Sequence, residues 1–219
     1  MTTIIERDSA VHNPEGIDVE HAKAYLIENG SFAGYDQGEV NVDDWLSFYE
    51  KEVDFIVPAA TEKSIHKVNA PKIKCKAVFE GANGPTTLAA EEILMGNGIV
   101  VAPDLLVNGG GVTCSYFEWL KNLDHVAPGR MNKRQSELDK KKLVELLGYR
   151  FPKDSPVMKH LEGAKEIDIV NSALEEIMVT STDEHWTYAK KKNYTLREAC
   201  LGNSLQKLAS RFEESGMLM

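Results

Sequence analysis

The chain has 219 residues, of which 42% are hydrophobic and 27% charged, with a formal net charge of −9 at pH 7. That composition is ordinary for a globular protein long enough to bury a sizeable core, and the negative balance excludes a global field that would attract nucleic acid or an anionic membrane. The three cysteines, Cys75, Cys114 and Cys200, show neither Cys-x-x-Cys nor zinc spacing, so no metal site is expected and reduced thiols are.

No apolar run approaches the roughly 18 residues of a spanning helix. The opening "MTTIIERDSAV" has the character neither of a signal peptide nor of an Arg-rich transit sequence, so no targeting segment is expected. "TTIIE" predicts a short strand with a carboxylate, Glu6, at its end. "HNPEGID" reads as a turn, broken at Asn13-Pro14 and Gly16. Asp18 can cap a helix over "VEHAKAYLIENG" that stops at Gly30. Residues 31 to 50 read as a loop and a short amphipathic piece carrying Trp45, Phe48 and Tyr49.

A rhythm follows. "VDFIVPAAT", "KAVFEGANG" and "IVVAPDLLVNGGG" are apolar runs ending in small residues, and "EKSIHKVNAP" and "TLAAEEILMGNG" between them read as helices. Apolar strands alternating with helices predict a parallel sheet covered on both faces, an α/β fold. From Val112 the pattern turns helical. Residues 128–164 read as a charged insertion with one helix near Ser136 to Leu147, and "RMNKRQSELDKKK" within it as a solvated face. Ile167, Val170, Leu174 and Ile177 mark an amphipathic helix, and Leu196, Cys200, Leu205, Leu208 and Phe212 a last one.

Open parallel sheets bind ligands beyond the carboxyl ends of their strands. "PAAT", "EGANG" and "NGGG" are expected there, built from small residues that let a flat ligand approach the backbone. Asn83 and Asn108 each offer a donor and an acceptor, suited to a carboxamide or a ribose hydroxyl; turn formation alone explains them equally well. Glu6 at a strand end suits an adenosine ribose, and equally a solvated loop acid. Ser115 can grip a carboxylate near a helix start or simply serve the helix. No Gly-x-Gly-x-x-Gly and no Gly-x-x-x-x-Gly-Lys occurs, so a pyrophosphate loop is missing from the sequence.

"NPEGID", "PAATEKSIHKVNAPKIK", "EGANGPTT" and "NGGGVTCSYFEWLKNLDHV" resemble the carboxyl-terminal half of the hexameric glutamate dehydrogenases of animals and protists. "SYFEWLKN" after a Gly-Gly-Val turn is the most specific block, and the resemblance is weakest over 128–164 and at the extreme C-terminus. It implies reversible oxidative deamination of L-glutamate to 2-oxoglutarate and ammonia, with NAD or NADP as cofactor, in a homohexamer of the mitochondrial matrix or the cytoplasm. It assigns Glu6 to the adenosine ribose, Asn83 to the nicotinamide ribose with Ala60 beside it, and Asn108 to the nicotinamide end. Val112 and Ser115 match substrate-contacting positions, the serine at the substrate's side-chain carboxylate. The family usually has Asn-Ala-Gly-Gly where this chain has Asn108-Gly109-Gly110-Gly111. The acid–base lysines and aspartate of that family belong to the other domain, so no catalytic residue is expected here.

The resemblance divides the chain into a partial NAD(P)-binding domain at 1–127, an antenna-like insertion at 128–164, and pivot and C-terminal helices at 165–219. The implied fold is an incomplete Rossmann-like doubly wound sheet followed by C-terminal helices. In the order 3-2-1-4-5-6, strand 1 lies between strands 2 and 4. Without it, "TTIIE" and "DFIVP" lose their common neighbour and expose backbone groups the sheet would pair, so the isolated chain is expected to be poorly stable. The rival reading, from another class, is a non-catalytic truncated subunit acting as an interaction module in an oligomer.

Overall fold

The computed structural model describes residues 1–124, 133–149, 152, 155 and 161–216. The chain forms two compact units, Met1–Asp104 and Leu105–Met219. The described residues of the predicted insertion include one helix; residues 128–132, 150–151, 153–154 and 156–160 of that segment, and residues 217–219, lie outside the described residues.

The first unit holds two three-stranded sheets. β1 (Thr3–Ile5), β2 (Ala10–His12) and β3 (Glu39–Asn41) are antiparallel in that order, with Ile4 opposite Val11 and Val11 opposite Val40. Sequence reasoning foresaw β1, but read the residues around β2 and β3 as turn and loop. Between β2 and β3 runs α1 (Val19–Asn29). Its ends follow the sequence signals. The Asp18 carboxylate accepts the N–H groups of Glu20 and His21, and Gly30 closes the helix in the left-handed region, donating to the Leu26 carbonyl. The hairpin and α1 enclose a small core of Val11, Ile17, Ala22, Phe32 and Tyr35. A six-residue 3₁₀ helix, Trp45–Glu50, then brings Phe48 and Tyr49 inside.

β4 (Phe55–Ile56), β5 (Ala77–Phe79) and β6 (Val100–Ala102) form the expected parallel sheet, with β5 in the middle. The expected helix between β4 and β5 is reduced to a 3₁₀ turn at Ala70–Lys72, where Pro71 has no N–H to extend a longer ladder. α2 (Leu88–Gly96) is capped by the Thr87 hydroxyl, which accepts the Ala90 N–H. It lays Ala90 and Leu94 on the sheet, completing a core with Ile65, Val78, Ile99 and Val101. β1 has a side chain in each core: Ile4 packs toward the hairpin core and Ile5 toward the parallel-sheet core, as the period of two requires.

The run "APDLLVNGGG" departs from its expected extended form. Pro103 ends β6, Asp104–Val107 form a short helix, α3, and α4 (Gly109–Asp124) begins at the first glycine of the triplet. In the second unit α4 packs on α6 (Glu166–Lys192). A Cβ at Gly110 would lie 3.3 Å from Leu174 Cδ1, so this glycine sets the close approach of the two helices. Lys121 of α4 reaches Glu166 in the first turn of α6 at 2.6 Å. α5 (Lys133–Leu146) buries none of its residues, the solvated face its charges predict. α7 (Leu196–Glu214) starts with a reciprocal cap between Thr195 and Glu198 and packs on α6.

Candidate cofactor-binding site

The carboxyl ends of β4 and β5 place two small-residue turns side by side. The N–H groups of Gly81 and Ala82 both donate to the Pro58 carbonyl, at 3.1 and 2.9 Å. A Cβ at Gly81 would stand 3.3 Å from the Ala59 Cβ, so a larger residue would push "PAAT" and "EGANG" apart. The structure thus brings Ala60 and Asn83 onto neighbouring turns at one end of the parallel sheet.

The second turn is held from beneath by a pair of acids that sequence reasoning did not single out. Glu80 is completely buried at the end of β5, and its Oε2 accepts the Asp104 N–H at 2.9 Å. The Asp104 carboxylate in turn accepts the Gly84 N–H at 2.9 Å, next to Asn83. Gly84 has φ +54 with open space around it, so glycine lets the chain reverse there without strain. Two signals in the sequence point to the pair: an acid at the end of an apolar strand, and an aspartate directly after a strand-ending proline.

Glu6, following β1, and Ala60, following β4, line one cleft of about 520 Å³, together with Ile5, Ile56 and Tyr49. Arg7 is exposed and lies 3.9 Å from Asp8. Asn108 sits between α3 and α4 in the second unit. Val112 and Ser115 lie three residues apart on α4, on one helix face. Val112 is 74% exposed, and the Ser115 hydroxyl donates to the Gly111 carbonyl at 3.1 Å, one turn back, which leaves its oxygen lone pairs as acceptors and its proton to be redirected by a ligand. The glycine triplet therefore lies within a helix start, one short helix beyond β6, and not directly on a strand end. Among the described residues no group of three His, Cys, Asp or Glu could hold a metal, and no helix is long and apolar enough to cross a membrane.

Small-residue turns beyond the carboxyl ends of parallel strands stand where open α/β sheets bind their ligands. A sequence profile of the Glutamate/Leucine/Phenylalanine/Valine dehydrogenases matches residues 1–145, and the chain belongs to that family. It is 40% identical over 219 residues to a mitochondrial glutamate dehydrogenase of Dictyostelium discoideum, covering 99% of this chain and 43% of that protein. It is 32% identical over 213 residues to an NAD-specific glutamate dehydrogenase of Clostridioides difficile, covering 96% and 41%. Among solved structures, glutamate dehydrogenase from Peptoniphilus asaccharolyticus superposes with a TM-score of 0.63 at 25% identity, covering 99% of this chain and 41% of that one. The chain spans less than half the length of these relatives.

Proposed function

We propose that these residues supply the cofactor-facing and C-terminal helical part of a glutamate dehydrogenase, which deaminates L-glutamate oxidatively to 2-oxoglutarate and ammonia. The observation that carries this reading is the pair of turns "PAAT" and "EGANG" joined through the Pro58 carbonyl at the ends of adjacent parallel strands, in a chain of this family. The residues present fit a nicotinamide dinucleotide at its ribose and nicotinamide contacts: small side chains leave the backbone approachable and Asn83 offers paired donor and acceptor. They offer nothing for the diphosphate, since the glycine fingerprint is absent from the sequence. When bound, the cofactor supplies a hydride acceptor for the substrate α-carbon.

In this reading Asn83 and Ala60 hold the nicotinamide ribose, Asn108 the nicotinamide end and Glu6 the adenosine ribose. The Glu6 carboxylate repels a 2′-phosphate, which favours NAD over NADP. Val112 bounds the substrate, and Ser115 donates to its side-chain carboxylate. The acid–base groups come from outside these residues. The division at 127 and 164 into nucleotide, antenna and pivot segments, assembly into a hexamer, and a place in the mitochondrial matrix belong to the same reading; the Dictyostelium relative is named as mitochondrial.

The test is a hybrid in which these 219 residues replace the matching part of the Dictyostelium enzyme. Glutamate-dependent reduction of NAD is expected, with KM for glutamate raised about ten- to hundredfold by Ser115→Ala, the worth of one hydrogen bond to a charged group. A hybrid that folds and assembles but does not oxidise glutamate would remove the reading. The rival, a non-catalytic interaction module, draws on the exposed apolar positions Leu201, Leu205, Leu208 and Phe212 of α7. It requires the chain to co-migrate with a full-length enzyme on size exclusion.

A further inference from the structure

Asn29, Asn83, Asn97 and Asn108 are each followed directly by glycine. Such a pair carries its own chemistry. The glycine nitrogen, once it has lost its proton, can attack the asparagine side-chain carbon, because no Cβ on the glycine obstructs the approach. Asn83 and Gly84 are both exposed, as are the pairs Asn29–Gly30 and Asn97–Gly98. These three pairs differ in what holds the attacking nitrogen. Gly30 N–H donates to the Leu26 carbonyl at 2.8 Å and Gly98 N–H to the Met95 carbonyl at 2.9 Å, each a backbone bond at the end of a helix. Gly84 N–H is held by a side chain from another element, the Asp104 carboxylate at 2.9 Å.

That carboxylate opposes the reaction in two ways. Ring closure swings the Gly84 nitrogen toward the Asn83 side chain, so its bond to Asp104 has to break first. The nitrogen also becomes an anion before it attacks, and a negative charge at hydrogen-bond distance disfavours that form. The chain is fixed on either side of this peptide. Ala82 N–H donates to the Pro58 carbonyl at 2.9 Å, and the Gly84 carbonyl accepts the Lys63 N–H at 2.9 Å. We propose that Asn83–Gly84 is a self-modification site, an asparagine deamidation kept latent by Asp104. When the clamp opens locally, Gly84 N–H gives its proton to hydroxide. The bond from Gly84 N to Asn83 Cγ forms, the Cγ–Nδ2 bond breaks, and ammonia leaves with a proton returned by water. Water then opens the succinimide at either carbonyl, giving aspartate or isoaspartate, with no change of oxidation state. The new carboxylate accepts hydrogen bonds and no longer donates them, and isoaspartate also lengthens the backbone of the turn. The loss of the ribose contact that follows rests on the cofactor reading given above; the deamidation itself does not.

The experiment holds the 219-residue chain and its Asp104→Ala and Asp104→Asn variants at mildly alkaline pH, with the free peptide "EGANGPTT" as the unprotected reference. Fragment mass spectrometry locates each amide-to-acid change. In the parent chain Asn83 is expected to deamidate at least about tenfold more slowly than in the peptide, the worth of one hydrogen bond to a charged group. Asp104→Ala is expected to accelerate Asn83 about ten- to hundredfold while Asn29 and Asn97 in the same molecules stay within about twofold of their parent rates. Asp104→Asn keeps an oxygen to accept the Gly84 N–H and should retain part of the protection. The inference is overturned if Asn83 in the parent chain matches the peptide, or if its rate is unchanged in Asp104→Ala. It is also overturned if Asp104→Asn is as fast as Asp104→Ala, or if Asn29 and Asn97 accelerate by the same factor as Asn83, because unfolding then sets the rate. No NAD or glutamate enters these measurements, so their outcome is separate from that of the hybrid enzyme.

Discussion

Glu80 sets the geometry of the turn that carries Asn83, and its removal has a calculable effect. The side chain is fully buried and accepts the Asp104 N–H at 2.9 Å, and Asp104 holds Gly84 at 2.9 Å. Glu80→Ala deletes the acceptor and leaves the donor in place, which costs about 1–3 kcal/mol for a buried group. Taking the middle of that range, about 2 kcal/mol, the Asp104 amide should exchange roughly thirtyfold faster, since 1.4 kcal/mol is a factor of ten. The Gly84 amide should follow by a smaller factor, because its acceptor is only loosened. Glu80→Gln keeps a carbonyl oxygen in the same place and should change either rate less than about threefold. Native-state hydrogen exchange on the two variants decides the matter. Equal Asp104 exchange rates in the Ala and Gln variants would refute the clamp, since only one of the two keeps an oxygen to accept the Asp104 N–H.

Gly38→Ala should destabilise the β2–β3 pairing by about 1–3 kcal/mol, the usual range for forced overpacking. Gly38 has φ +151, and its added Cβ would stand 2.7 Å from the His12 carbonyl oxygen and 3.1 Å from Val11 Cγ2. A chemical denaturation midpoint equal to that of the parent chain would show that the hairpin yields freely. Cys200 is buried in α7, and burial pushes its thiol up to about 11. At pH 8 its reaction with a disulfide reagent should be about a hundredfold slower in the folded chain than in urea, following the lost thiolate. The unfolded thiol sheds its proton first as pH rises, so stability should fall from about pH 9 to about pH 11, and Cys200→Ser should flatten that fall. A slope that survives the substitution would place its origin elsewhere.

The local signals in the sequence carried far in some places. Asp18 and Gly30 bracket α1 because a cap and a left-handed glycine act within one turn of the helix they bound. The apolar run before "EGANG" is a strand in a parallel sheet, and the polar turn beyond it lies at the carboxyl end of that strand, as expected. The antiparallel hairpin escaped notice because "AVH" and "EVN" are three residues each and pair across an intervening helix, a contact that short-range pattern does not encode. "DLLV" reads as a strand by composition. Its helical form follows from Pro103 ending β6 and from Asp104 being tied to Glu80, a partner 24 residues back. Because that tie is long-range, local pattern marks each acid singly and does not show that Glu80 and Asp104 join. The triplet Gly109 to Gly111 suggests ligand approach by composition, yet at Gly110 the missing side chain serves helix packing against Leu174.

Steady-state kinetics of the hybrid enzyme with Asn83→Ala test most directly the proposed placement of Asn83 at the nicotinamide ribose. The loss of one amide's paired contacts should raise KM for NAD about tenfold or more and leave KM for glutamate within about twofold. An unchanged KM for NAD, in a variant that folds and assembles like its parent, would contradict it.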